Sequence, residues 1–309
     1  IDGFTVEGNL PNLSFEEANA VARGTDEAAA LQNYKFNSNG IGSFPDAENP
    51  ATIHHLIIRN NTVFNHPAGG IFSNGSDYVR IEGNTVYNNA YYSAYANSGI
   101  SFYKSTAIDN RTDFKMFIRN NKIFKNENKV PFWFSNASNP SQRVITDGNG
   151  IIIDDSRNTQ GTGNVVYTGK FLINNNVVFD NGGRGINIYS SNGVLAYKNT
   201  TFQNGRTPGF TELAVGDADD VKFTENIFVS RPDREPLLQY NATNVVFERN
   251  LFEVGSETPG VPGSTNLISN GDFATDLSGW SLVINPSAGY AENRRDDFGR
   301  SCVYVDQPN

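Results

Sequence analysis

Hydrophobic positions along this chain recur in a short phrase: an apolar residue, two variable positions, an asparagine, one more variable position, then an apolar and an aromatic residue. It reads IRNNTVF around Asn61, IEGNTVY around Asn84, IRNNKIF around Asn121 and INNNVVF around Asn176. Weaker copies, AYKNTTF, FTENIFV and FERNLFE, surround Asn199, Asn226 and Asn250, and VEGN at Asn9 reads as an earlier copy. From Asn61 onward the successive asparagines lie 23, 37, 55, 23, 27 and 24 residues apart. About two dozen residues hold three short strands and their turns, one coil of a solenoid. The longer spacings fit one coil enlarged by insertions, and for 55 two coils with an unrecognised middle copy are the alternative.

A second phrase follows, glycine and then apolar residues in alternation: GGIFSN at Gly70, SGISFYKS at Gly99, NGIIIDDS at Gly150 and RGINIYSS at Gly185. TELAVGD from Thr211 and PLLQYN from Pro236 continue the series. Alternation of period two predicts strands with one face buried. A leucine framework is absent, and propeller blades need longer repeats, so the expected fold is all-β, a parallel β-helix. Asparagine suits the bends because it tolerates left-handed backbone angles and bonds the local backbone. Stacked coils also let its amide bond the asparagine of the next coil, an internal ladder. Ser14 and Glu17 form a capping box ahead of an alanine-rich run, which predicts a short helical insertion over residues 14–31. The expected domains are a β-helix over 1–255, a Gly/Pro/Ser-rich linker over 256–265 and a further segment over 266–309.

Composition narrows the class. With 309 residues, 38% hydrophobic and 18% charged, the chain can bury a large core and is neither a disordered nor a membrane sequence. No apolar run approaches the ~20 residues of a membrane span. No signal peptide is visible and no polar cap precedes Ile1, so the chain reads as a processed or trimmed product. The net charge of −9 argues against a nucleic-acid partner, which needs a basic surface. Cys302 is alone and the histidines are His54, His55 and His66, so neither a disulfide nor a zinc cluster is expected. Low cysteine with abundant Asn, Gly and Tyr suits a secreted or cell-surface bacterial protein. The oligomeric state is left open.

The paired Asn and Gly phrases, over roughly residues 50–255, resemble the right-handed parallel β-helix of the pectin-lyase-like superfamily of lyases, epimerases, hydrolases and tailspikes. That resemblance implies an extracellular protein holding an acidic polysaccharide in a groove, with calcium bound by clustered carboxylates in some lyases. Particular mechanisms do not carry over: Ile152 stands where one pectate-lyase branch has lysine, and the Asp-Pro-His-Glu phrase of mannuronan epimerases is absent. Asp154 and Asp155 are the sole match to the paired aspartates of polygalacturonases. NLISNGDF from Asn266, followed by Gly279 and Trp280, resembles the opening of carbohydrate-binding β-sandwich modules. About 44 residues are too few for a whole sandwich of that kind.

The candidate site comes from the solvent-facing columns. If the residue after each glycine points inward, the fourth position points outward. That column stacks Asn74, Tyr103, Asp154, Tyr189 and Gly216, and the next stacks Gly75, Lys104, Asp155, Ser190 and Asp217. With no hidden coil between Gly99 and Gly185, Tyr103, Asp154 and Tyr189 fall on successive rungs as a sugar platform around a carboxylate. Asp154 interrupts an apolar run, which is costly unless it is exposed, paired or cation-bound. The leading expectation is a polysaccharide lyase acting by β-elimination on a uronic-acid-containing glycan. Lys104 or Lys170 would be its base, Tyr103, Tyr189 or His66 its acid, and Asp147, Asp154 and Asp155 its calcium ligands. Asn74, Arg157, Asn187 and Arg184 would bind substrate. The alternatives are a glycoside hydrolase with Asp154 or Asp155 as acid and Asp217 or Glu212 as base, a uronan epimerase, and a non-catalytic glycan-binding surface or filament protein.

Overall fold

The computed structural model describes residues 1–45, 53–160 and 165–255, with the strands Ala291–Arg295 and Ser301–Val305. The chain forms two units, Ile1–Ser256 and Glu257–Asn309. In the first, parallel strands build three sheets of eight, seven and seven strands. The first sheet runs from Thr5–Glu7 to Leu251–Val254, the second from Ile41–Ser43 to Leu237–Tyr240, and the third from Ile53–Arg59 to Thr243–Glu248. Each strand passes to the next sheet, so the chain winds as the expected parallel β-helix. The 55-residue spacing is a single coil: Ile123 pairs with Val178 and Ile151 with Ile186, leaving no coil between them.

Alternation places one side chain in two inside. Val63, Val86, Ile123 and Val178 line the first sheet's inner face, and Ile71, Ile100, Ile151 and Ile186 the second's, all fully buried. Each such burial contributes about 1.5–3 kcal/mol. On the outer face of the first sheet, Phe64, Tyr87, Phe124 and Phe179 stack 4.9–5.0 Å apart and nearly coplanar. The faces of the two central rings, Tyr87 and Phe124, are occupied by their neighbours.

The asparagine phrase resolves into two positions with different duties. Asn61, Asn84, Asn121, Asn176, Asn199, Asn226 and Asn250 form a continuous ladder, each donating its amide and backbone N–H to the carbonyl oxygen of the next. The left-handed angle belongs instead to the preceding residue, as at Asn60, Gly83, Asn120 and Asn175 with φ of 57°, 65°, 58° and 54°. A second ladder, not expected, runs from His66 through Asn89, Asn126, Asn181 and Asn204 to Glu212. Asn9 is out of phase with the first: Val6 pairs with Val63, which puts Asn9 level with His66.

The helical insertion is present and longer than expected. It comprises α1 (Phe15–Ala22), capped by Ser14 accepting from the Glu17 N–H, α2 (Glu27–Leu31) and α3 (Tyr34–Asn37). Its buried Ala18, Ala22, Ala30 and Phe36 pack with Ala94, Val130 and Trp133 from the connections that enter the second sheet in later coils. Arg143 locks them together, stacked 3.5 Å over Trp133 and donating to the carbonyls of Ala22 and Gly24. Among the described residues no helix is long and apolar enough to cross a membrane. In the second unit Ala291–Arg295 pairs antiparallel with Ser301–Val305. The expected linker, residues 256–265, and the module opening from Asn266 to Trp280 lie outside the described residues.

Candidate functional site

The outer face of the second sheet carries the column read from the sequence. Asn74 pairs with Tyr103, Tyr103 with Asp154, Asp154 with Tyr189, Tyr189 with Gly216, and Gly216 with Tyr240. The inward residues between them, Phe102, Ile153 and Ile188, are fully buried, so the column faces out. Ser101, Ile152, Asn187 and Ala214 also point out, yet are only 4%, 5%, 8% and 1% exposed. Long connections flank the sheet: residues 88–99 and 125–150 lead into it, and 104–113, 155–160 and 165–169 lead out. Side chains from both sides reach Asp154. Gln160, from an outgoing connection, donates to its Oδ1 at 3.3 Å, and the charge of Asp147, from an incoming one, acts on it.

The two carboxylates differ in support. Asp147 accepts from Thr146 Oγ1 at 2.9 Å and from Asn149 Nδ2 at 2.8 Å. Burial raises its pKa, while those bonds and the nearby Arg184 guanidinium oppose the rise. Among the described residues, Asp154 has one side-chain bond, the long one from Gln160. Burial first, then the charges of Asp147 and Asp155, push its pKa well above the usual carboxylate range. Environments that separate two carboxyls in this way assign one as acid and the other as base. Burial also raises the phenols of Tyr103, Tyr189 and Tyr240, which are therefore neutral donors near pH 7.

Several expected residues join this group. Lys104 donates to the Gln160 carbonyl at 3.3 Å and lies 5.0 Å over the Tyr103 ring. Arg184 stacks 4.7 Å over Phe210. Asn74 and Asn187 lie on the outward face, in the column and beside it.

Others are elsewhere. Lys170 opens a strand of the third sheet and pairs with Asp220 at 2.9 Å, so it cannot serve as base in this groove. His66 is 6% exposed, sits on the second ladder and contacts the Val6 carbonyl; burial lowers its pKa, and it is no proton donor to this face. Arg157 donates to the Asp217 carbonyl at 2.8 Å, at the corner between the second and third sheets. Glu212 ends the second ladder, and Asp217, bonded by Asn241, occupies the corner after its strand. Asp155 is fully buried, and its oxygens accept from the N–H and hydroxyl of Thr159 and the N–H of Gln160. It fastens its own loop. The calcium set of Asp147, Asp154 and Asp155 therefore does not fit: among the described residues no three His, Cys, Asp or Glu side chains converge as metal ligands.

Tyr240, one rung beyond the column expected from the sequence, belongs to it as well. A side chain at Gly216 would collide with the Tyr240 ring at 2.2 Å, so the glycine lets that ring lie across the floor toward Tyr189. The signal was available, since PLLQYN aligned with TELAVGD puts Tyr240 in the same column. Phe44 and Phe72, with rings 5.4 Å apart, extend the aromatic line beyond Tyr103, 6.1 Å from Phe72.

The sequence model of the right handed beta helix region matches residues 12–205, well over half of the chain. This chain belongs to that family. As a right-handed β-helix it is similar in solved structures to the mannuronan C-5 epimerase AlgE4 A-module of Azotobacter vinelandii: 12% identity and a TM-score of 0.37, covering 67% of this chain and 57% of that one. A putative glycosyl hydrolase from Parabacteroides merdae matches with 12% identity and a TM-score of 0.33, over 70% of this chain and 83% of that one. The AlgE6 A-module of Azotobacter vinelandii matches with 14% identity and a TM-score of 0.32, over 67% and 59%. Likenesses this distant carry nothing about the chemistry of this β-helix. No curated protein matches the sequence.

Proposed function

We propose that this β-helix hydrolyses a glycosidic bond of a polysaccharide lying along the outer face of the second sheet. Asp154, held protonated, gives its proton to the glycosidic oxygen as the bond to the anomeric carbon breaks. Asp147, with two side-chain hydrogen bonds and Arg184 beside it, takes a proton from the water that attacks that carbon. Tyr103 and Tyr189 flank the reacting carboxyl and offer ring faces to sugar C–H surfaces and hydroxyls to sugar oxygens. The observation that carries the reading is Asp154 in register between two tyrosines, raised in pKa beside a better-supported second carboxylate. A polymer too large to enter a cell would be met at the surface or outside, which supports the expected secretion.

Elimination from a uronate is the second reading, and Arg184 is the observation that favours it. The guanidinium stands near Asp147, with no hydrogen-bond partner at Nε, where it could neutralise a substrate carboxylate. Against it, Lys170 lies outside the groove, so only Lys104 is left of the two expected bases, and it is engaged with the Gln160 carbonyl.

The test is incubation with a polysaccharide panel, reading reducing ends and the ultraviolet absorbance of unsaturated uronates. Hydrolysis gives reducing ends without absorbance, elimination gives both, and a binder gives neither. Asp154→Asn should lower hydrolysis by roughly 10²–10⁴-fold, the usual contribution of a general acid, with the melting temperature preserved. Full activity in that variant removes Asp154 from the mechanism.

A further inference from the structure

We infer, on the reading of the second-sheet groove as a polysaccharide site, that its substrate is a neutral glycan and not a uronate-rich one. From Gly42 to Tyr240 the two outward columns of the floor contain no lysine or arginine. Their polar groups are neutral apart from Asp154: hydroxyls of Ser101, Tyr103, Tyr189 and Tyr240, and the amides of Asn74 and Asn187. Two cations stand near the floor, and each is engaged. Lys104 is held between the Gln160 carbonyl and the Tyr103 ring. Arg184 stacks on Phe210, and its charge is offset by Asp147.

No cation is left over for a substrate carboxylate. Asp147 offsets Arg184, and the charge of Asp217, at the edge of the floor, reaches both Tyr189 and Tyr240. A uronan presents a carboxylate on every sugar, and like charges brought together at an interface cost several kcal/mol. The whole chain, at −9, adds repulsion at longer range. A neutral sugar meets no such opposition. Its C–H faces fit Tyr189 and the Tyr240 ring laid across Gly216, while its hydroxyls bond phenols and amides.

The test is affinity electrophoresis of the full chain through gels containing a neutral polymer (a β-glucan, a xylan, a galactan or a mannan) or a uronan (polygalacturonate or alginate). Each gel is run with wild type and with Tyr103→Ala/Tyr189→Ala, whose fold is checked by circular dichroism. Tyr189→Ala alone replaces the double variant should that variant unfold. The expected result is retardation by a neutral polymer at least about tenfold stronger than by any uronan, insensitive to salt and lost in the tyrosine variant. Stronger, salt-sensitive retardation by a uronan, also lost in the variant, overturns the neutral-glycan inference and leaves the groove reading standing. Retardation that survives in the variant, or none by any polymer, overturns the groove reading itself and this inference with it.

Discussion

Glu212 stands where the coils before it carry glycine, at Gly70, Gly99, Gly150 and Gly185. A Cβ at Gly185 would press on Asn204 Nδ2 at 2.7 Å, and one at Gly70 on Asn89 Nδ2 at 3.0 Å, so glycine makes room for the second ladder. The next coil offers Arg231 and no asparagine, and Glu212 closes the ladder by accepting from the Asn204 amide and backbone N–H. Burial raises its pKa from 4.5 to about 7. Below pH 4.5 folded and unfolded chains both carry the proton. Between 4.5 and 7 the folded chain keeps a proton that the unfolded chain has released, so stability falls as pH rises. Above 7 the loss is complete, roughly 3 kcal/mol at ~1.4 kcal/mol per pKa unit. Glu212→Gln should match wild type in urea midpoint at pH 4 and exceed it at pH 8; a variant weaker at both would show that the charge is not what destabilises. Such a difference is hard to read from text, as Asp154 and Asp155 also show. Asp154 ends a strand and faces out. Asp155 has φ of 50°, at the corner shared with Lys104, Ser190, Asp217 and Asn241, and turns back to fasten its loop.

Two asparagines side by side in IRNNKIF separate turn geometry from the ladder. Asn120 is exposed with φ of 58°, and Asn121 is 2% exposed with its Oδ1 accepting both the backbone N–H and the amide of Asn84. Asn121→Ala strands those donors inside and should destabilise by roughly 3–5 kcal/mol, since each unsatisfied buried group costs ~1–3 kcal/mol. Asn120→Gly keeps the left-handed bend and should stay within ~0.5 kcal/mol of wild type. Equal effects in chemical denaturation would contradict this division of labour. The first ladder was legible because its asparagines sit inside the apolar phrase. The second went unread although its members follow the first by five residues each, from Asn61 to His66 through Asn199 to Asn204. His66 at its head looked like an isolated turn histidine. The aromatic ending of the phrase was read as part of the repeat, but only the paired strands show Phe64, Tyr87, Phe124 and Phe179 as a continuous stack.

For the whole molecule, coil length was legible and the walls of the groove were not. Period-two alternation and the ladder asparagines place every strand of the second sheet in register, and that brought Tyr103, Asp154 and Tyr189 together from the text alone. The insertions in the coils beginning at Asn84 and Asn121 have no repeat to align, so nothing in their wording showed that Gln160 and Asp147 return to Asp154 or that Lys170 leaves for another sheet. The outgoing connections are anchored by a buried pair. Lys115 and Asp77, both fully buried, lie 2.7 Å apart, and Asp77 also accepts from the Tyr167 hydroxyl at 2.6 Å and the Ile108 N–H at 2.9 Å. Asp109 binds Lys115 at 3.0 Å, and bonds from Tyr78 and Lys115 hold its carboxyl down to about 2. In a solenoid each coil is stabilised chiefly by its two neighbours, and openings begin where neighbours are fewest. The coils from Asn84 to Tyr197 have complete ladders and fully buried inward residues on both sides. In the last coil the inward Leu237, Val245, Phe247 and Phe252 are only partly buried. Hydrogen exchange followed by mass spectrometry should therefore find the slowest amides over residues 116–123, 151–153 and 171–178, and the fastest of the β-helix strands over 237–254. The anchored segment 104–115 should exchange with the central coils despite lying in a connection. Free exchange there, with the neighbouring strands protected, would mean that the buried pair does not hold the wall and that Gln160 is not fixed beside Asp154.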